Sequence, residues 1–169
     1  MKIDISKTPS ANLLALVNAK ATRAYTADQL TFGAATVNSA NGATKNTVVT
    51  LTAVDGKGFT GTVDVRYNRL GLDKGVSSPN TTLTVADGSS ASALLTQAAA
   101  QLGLRESDVE WSGTITVPSD GQSNTATLKA KDASYLYVGT LELTLNNPAE
   151  PVAMSGNVGD GNLDGFDAA

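Results

Sequence analysis

Hydrophobic and polar positions in the first part of the chain predict a strand followed by a helix. Ile3 and Ile5 alternate with polar residues, as in a strand with one buried face. The period then becomes helical, with apolar side chains at Leu13, Leu14, Val17 and Ala21. Because Thr8 and Pro9 suit an N-cap and a first helical position, we expect the helix to begin there.

The pattern then returns to alternation and predicts a hairpin. Leu30 and Phe32 alternate, and a run rich in Thr and Val follows over residues 47–54. After the four-residue turn 55–58, a second run over 60–68 places Val63, Val65 and Tyr67 on one face. Two such runs joined by a turn that contains Gly are typical of a β-hairpin.

The second part of the chain repeats this order of elements. Leu83 and Val85 alternate, and Ser89 and Ser90 can cap a helix. The helical stripe that follows consists of Leu94, Leu95, Ala98, Ala99 and Leu102. Gly103 fits the left-handed position beyond a helix, with Leu104 placed for the accompanying hydrophobic contact. Segments 127–132 and 139–146 then match 50–55 and 61–68.

Matching positions lie 78 to 81 residues apart, as in Ile3 and Leu83, Leu13 and Leu94, Phe32 and Trp111, and Gly61 and Gly139. We therefore predict an α+β protein made of two tandem β-α-β-β-β repeats, mainly antiparallel sheet with one helix per repeat. The alternative is that both parts alternate helix and strand without a common origin.

The predicted organisation is a first repeat over 1–70, a linker over 71–80, a second repeat over 81–147 and an acidic, Gly-rich tail over 148–169. A unit of about 70 residues is marginal for an independent core. We therefore expect the two repeats to pack closely, for example about a pseudo-twofold axis. Two separate sheets, each with its own helix, are the looser alternative.

Composition and charge exclude several classes of function. With no His and no Cys, the chain lacks the commonest general base, the commonest metal ligand and any thiol chemistry. Twelve basic residues are scattered among sixteen acidic ones, so no nucleic-acid partner is predicted. Residues 11–21 faintly resemble a secretion signal, but Asp4 and the short apolar run favour a helix. We therefore expect synthesis in the cytoplasm and no membrane contact.

The sharpest local motif lies in the predicted tail, at residues 160–165 (Asp-Gly-Asn-Leu-Asp-Gly). It fits the first six positions of an EF-hand calcium loop. The bidentate Glu of the twelfth position and flanking helices are missing, so a solvated acidic tail is the preferred interpretation. A calcium site completed by a neighbouring subunit stays open.

Other chemical candidates have simpler explanations. Glu106, Asp108 and Glu110 are the closest carboxylates for acid–base work, but at the entrance of a strand we expect them to cap and solubilise. Trp111 matches Phe32 and is expected in the core. The tyrosines that could form a sugar-binding shelf are few: Tyr25, Tyr67, Tyr135 and Tyr137. We predict no enzyme, no cofactor and no catalytic, cofactor-binding or metal-binding residue.

Several segments resemble a group of virion structural proteins of large tailed bacteriophages. They are residues 8–18, 30–33, 47–54, 58–61 and 67–70, and the resemblance extends over roughly residues 1–146. It implies a virion component, and a capsid decoration protein bound to the major capsid protein is favoured over a tail or baseplate protein. The acidic C-terminal segment 148–169 would anchor the protein to a neighbouring subunit in an oligomer or lattice. An adhesion module that binds a host surface and a glycosidase-like enzyme are the competing hypotheses.

Overall fold

The computed structural model describes residues 2–73 and 80–151, here called the first half and the second half. They form an α+β protein with mainly antiparallel sheets, and the helices of these ranges are α1 (Pro9–Asn18) and α2 (Ala91–Leu102). The strands are β1 (Leu30–Phe32), β2 (Thr36–Val37), β3 (Thr47–Ala53), β4 (Thr62–Tyr67), β5 (Leu70–Gly71), β6 (Thr82–Thr84), β7 (Val109–Trp111), β8 (Ser123–Ala130), β9 (Tyr137–Val138) and β10 (Thr140–Asn146). Short 3-10 turns at Ala27–Gln29 and Glu106–Asp108 precede β1 and β7.

Both helices begin where the sequence predicts. The Thr8 hydroxyl accepts a hydrogen bond from the Ala11 N–H at 3.2 Å, and Ser90 does the same for Ala93. At the end of α2, Gly103 has a left-handed backbone (φ 63°), and the Leu104 N–H donates to the Ala99 carbonyl at 2.8 Å. The predicted caps and the predicted helix end are therefore confirmed.

The two main sheets share a strand register. In the first half, β3 lies between β4 on one edge and β1 with β2 on the other. In the second half the order is β6-β10-β8-β7. Leu51 is opposite Phe32 and Val63, and Leu128 is likewise opposite Trp111 and Leu141. The predicted hairpin of β3 and β4 is confirmed.

The sheets differ in what covers them. The second core contains Leu94, Ala98, Ala99 and Leu102 of α2 together with Leu83 and Val85. On α1 the buried residues are Asn12 and Leu13, and the first core is correspondingly smaller. The first helix thus covers its sheet less completely than the second.

Trp111, which the sequence predicts in the core, is only half-buried. Its indole N–H donates to the Ala91 carbonyl at 2.8 Å.

The strand predicted at Ile3 and Ile5 is wrong. Residues 2–4 have no regular structure, and a turn begins at Ile5. The amide side chain of Asn12 binds both the N–H and the carbonyl of Asp4 at 2.9 Å. The Arg105 guanidinium donates to the Ile5 carbonyl at 3.0 Å. These contacts hold residues 4 and 5 at the start of a turn and not in a strand.

The two halves pack together through a short parallel sheet. β5 pairs with β9, and the Leu72 N–H donates to the Val138 carbonyl at 3.0 Å. Leu72 is buried in the second core, although it belongs to the first half. Leu70 and Gly71 lie at the predicted boundary between repeat and linker, so this boundary falls inside a strand. The pairing joins segments that are not equivalent in the predicted repeat, and therefore it is not itself two-fold symmetric.

A buried arginine reinforces this junction. The Nε–H of Arg69 donates to the Thr47 hydroxyl at 2.9 Å, and Nη1 donates to the Ser134 carbonyl at 3.0 Å. The side chain of Asn46 accepts from the Arg69 backbone N–H at 2.8 Å. Because a buried guanidinium is costly unless it is hydrogen-bonded, its partners in both halves fix their relative position.

Replacing this arginine should loosen the junction. We expect Arg69→Met to lower the free energy of unfolding by about 2–3 kcal/mol, since it leaves buried acceptors without a donor. The matched control is Arg66→Met on β4, where an exposed ion pair with Asp64 at 3.7 Å should contribute less than about 1 kcal/mol. Urea unfolding measures both variants, and equal losses would contradict the role given to Arg69.

Candidate functional site

An apolar groove of about 1140 Å³ lies between α1, β4 and the second half. Its walls are aliphatic side chains of α1 (Leu13, Leu16, Val17), of β4 (Val63, Val65) and of the second half (Leu102, Leu104, Leu136). Val63 is 55% exposed there and Ile5 is 52% exposed. Concave apolar surfaces of this size are the usual places where proteins bind ligands or partner segments.

One side of the groove is an unpaired strand edge. β3 covers one edge of β4, and within residues 2–73 and 80–151 no strand pairs with the other. The Gly61 carbonyl accepts from the Ala53 N–H at 2.9 Å, so odd-numbered residues of β4 bond to β3. The backbone N–H and C=O groups of Asp64 and Arg66 therefore point towards the open edge. Such an edge is a template for another strand.

The second half shows how this space is filled when a strand is present. There β6 runs parallel to β10, with Leu83 opposite Leu145. Leu83 and Val85 are 0% and 4% exposed. β10 is the strand whose register corresponds to that of β4. β6 therefore pairs with the edge of β10 whose position in the sheet resembles that of the open edge of β4.

Charge at the groove is one-sided. The charged residues that line it are Lys2, Lys20, Lys45 and Arg66. Asp64 lies next to Arg66 on the outer face of β4. The net charge of the chain is −4, so this basic rim runs against the overall balance.

Tyrosines close the end of the groove next to the second half. The Tyr67 hydroxyl donates to the Tyr135 carbonyl at 2.9 Å, and the Tyr135 hydroxyl donates to the Gly33 carbonyl at 2.9 Å. Burial raises the pKa of Tyr67 to about 12, and burial also raises the pKa of Tyr135 and Tyr137. Tyr25 packs against Phe59 with ring centroids 4.5 Å apart. These rings stabilise the structure, and they do not form an exposed shelf.

The carboxylates singled out in the sequence do not converge. Glu110 forms a surface ion pair with Lys129 at 3.2 Å, and Glu106 is exposed. The expectation that Asp108 is a solubilising residue is wrong, because it is 4% exposed and accepts from the Ser134 hydroxyl at 2.8 Å. The Ser134 oxygen in turn accepts the N–H groups of residues 136 and 137. Asp108 therefore holds the segment that leads into β9.

The other candidates give no site within the described ranges. Residues 55–58 form the turn between β3 and β4, as predicted. The described residues contain no group of three His, Cys, Asp or Glu side chains placed to hold a metal. The motif at 160–165 lies outside these ranges. Of the helices described, neither has the length and hydrophobicity needed to cross a bilayer.

The groove was not predicted from the sequence. The alternation of Ile3 and Ile5 favours a strand at the position of the groove, and no sequence pattern indicates that this strand is absent. The available signal was the spacing before the helices. Two residues separate Ile5 from Thr8, whereas four separate Val85 from Ser90.

The buried tyrosines predict a loss of stability at alkaline pH. The pKa of Tyr67 is about 10 in the unfolded chain and about 12 in the fold, so its contribution is complete below pH 10 and is lost as the pH rises through 12. Urea midpoints measured from pH 8 to pH 12 should fall less steeply for Tyr67→Phe than for the natural protein. Tyr25→Phe is the matched control for removing a hydroxyl, and identical slopes for all three proteins would contradict the assignment.

Comparison with known proteins gives a family without an assigned activity. The match covers residues 3–168, almost the entire chain, and the family is described as a family of unknown function, DUF7941. Neither a curated protein nor a solved structure matches significantly. The chain therefore belongs to the DUF7941 family.

Proposed function

We propose that this protein is a structural component of a tailed-bacteriophage virion, a capsid decoration protein that binds the head lattice. The observation that carries the proposal is the apolar groove beside the open edge of β4, because its shape and its free backbone groups suit a segment of protein chain and therefore assembly with other protein molecules. The sequence resemblance to virion structural proteins over roughly residues 1–146 supports the virion as the place where this binding occurs. The partners would be other virion proteins, above all the major capsid protein.

A non-enzymatic role agrees with the arrangement of polar groups. Asp108 is engaged with Ser134 inside the fold, and Glu110 is paired with Lys129. Acid–base catalysis needs carboxylates that face a common substrate. The carboxylates near β7 face different surroundings, so we assign them to stability.

We also infer that the two halves are tandem repeats of one unit, with the first strand missing from the first copy. Three backbone contacts with corresponding partners support this inference. Ala53 and Ala130 donate to the carbonyls of Gly61 and Gly139, at 2.9 and 3.0 Å. The N–H groups of Gly33 and Ser112 donate to the carbonyls of Thr50 and Thr127, both at 2.8 Å. The N–H groups of Val54 and Lys131 donate to the carbonyls of Gln29 and Asp108, both at 2.9 Å.

The virion role predicts that the protein is present on mature particles. Mass spectrometry of purified phage that encodes this chain should detect it, and gold-labelled antibody should mark the head. The purified protein should also sediment with heads that lack it, whereas heads that already carry a full complement serve as the control and should take up none. Absence from the particle would overturn the proposal, and labelling of the tail would overturn the decoration role.

The repeat predicts equal effects at equivalent glycines. Gly61 and Gly139 both have left-handed backbones, with φ of 84° and 86°, and neither would bring an added Cβ into contact with neighbouring atoms. Gly61→Ala and Gly139→Ala should therefore each cost about 1–2 kcal/mol of unfolding free energy from backbone strain alone. Urea unfolding of the two variants tests this, and a cost at only one position would contradict the equivalence.

A further inference from the structure

Among residues 2–73 and 80–151, no strand lies on the open edge of β4, whereas β6 lies on the corresponding edge of β10. In the second half, the Val85 N–H donates to the Asn146 carbonyl at 2.9 Å, and the Thr144 N–H donates to the Thr81 carbonyl at 2.8 Å. β6 thereby closes both the sheet edge and the space beneath α2. On β4 the corresponding backbone groups and the groove beneath α1 are available for one more parallel strand.

The chain contains a segment with the pattern of β6. Ile3 and Ile5 lie 80 residues before Leu83 and Val85, and like them they alternate with polar residues. In this structure the segment is tied to Asn12 and Arg105, and Ile5 stays half-exposed. A segment with the right alternation thus lies beside an edge that it does not use.

The connection between this segment and α1 is shorter than the corresponding connection in the second half. From Ile5 to Thr8 the chain takes three Cα steps, which span at most about 11 Å, whereas five steps from Val85 to Ser90 span up to about 18 Å. The shorter connection leaves residues 2–5 less room to turn back along β4 while α1 stays seated on its sheet. A segment from another molecule is not limited in this way, and short connections of this kind favour exchange between molecules.

We propose that the edge of β4 binds residues 2–5 of a second copy of this chain, which receives the same segment in return. The exchange forms a two-fold dimer in which Ile3 and Ile5 leave the wall of their own groove, where Ile3 also touches the second core, and fill the groove of the other molecule. The inference deepens the proposed function, since it rests on the groove being a protein-binding site and names the occupant. The lattice contact would then lie on other surfaces of the dimer.

Charge selects the register of the added strand. With Ile3 opposite Val65, Ile5 is opposite Tyr67, and both isoleucines face the groove. The polar positions then place Lys2 opposite Asp64 and Asp4 opposite Arg66. Both pairs have opposite signs, which favours this register over the one seen between β6 and β10, where Lys2 would meet Arg66.

Cross-linking tests the exchange directly, because the natural chain has no Cys. Lys2→Cys and Asp64→Cys are made as separate proteins, mixed, refolded together and oxidised. The expected product is a disulfide-linked heterodimer containing one of each. The matched control replaces Asp64→Cys with Glu142→Cys, which is the corresponding position on β10. The proposal would be overturned if the Asp64→Cys mixture gives no more heterodimer than the control mixture.

Sedimentation tests the role of the short connection. The natural protein should be a dimer, and inserting Gly-Ser between Ser6 and Lys7 should give a monomer, because each segment then reaches its own β4. The same insertion between residues 87 and 88 is the control and should leave the dimer intact. Ile5→Asp should weaken the dimer about tenfold or more. The proposal would be overturned if the natural protein sediments as a monomer, or if both insertions leave the dimer unchanged. The presence of the protein on the virion is measured independently, so failure of the exchange can be distinguished from failure of the virion role.

Discussion

The fold depends on the junction at which the first half completes the core of the second. Leu72 lies in the second core, and β5 pairs with β9 beside it. Arg69 adds hydrogen bonds to Thr47 in its own half and to Ser134 in the other. Units of about 70 residues bury so little surface that each would be only marginally stable alone. Since the shared core and the buried guanidinium hold both units in one arrangement, they also give the groove its walls.

Local signals in the sequence were sufficient for the parts of the fold that are stabilised locally. The helices begin at the caps formed by Thr8 and Ser90, and α2 ends at Gly103. All three ends are fixed by hydrogen bonds between residues no more than five positions apart. The β3–β4 hairpin depends on its own turn and its own alternation. These elements form where the sequence predicts because few distant residues influence them.

The parts that could not be predicted depend on distant partners. Asp108 looked like a solubilising residue, and its burial depends on Ser134, which follows 26 residues later. Arg69 gave no signal at all, because its acceptors at Ser134 and Asp132 are backbone carbonyls of the other half. Ile3 and Ile5 have the alternation of a strand, but hydrogen bonds from the side chains of Asn12 and Arg105 hold the segment in another conformation. Alternation states which face of a segment is apolar, and it does not state which sheet edge the segment can reach.

The unequal cover of the two sheets sets an order of local opening. α2 buries four side chains and β6 closes the sheet below it, whereas α1 buries only two side chains, one of them the polar Asn12. Amide protons of α1 and β4 should therefore exchange with solvent through partial openings that leave α2, β8 and β10 closed. The second half then acts as the persistent part of the molecule. The first half can rearrange around its groove without unfolding of the whole chain.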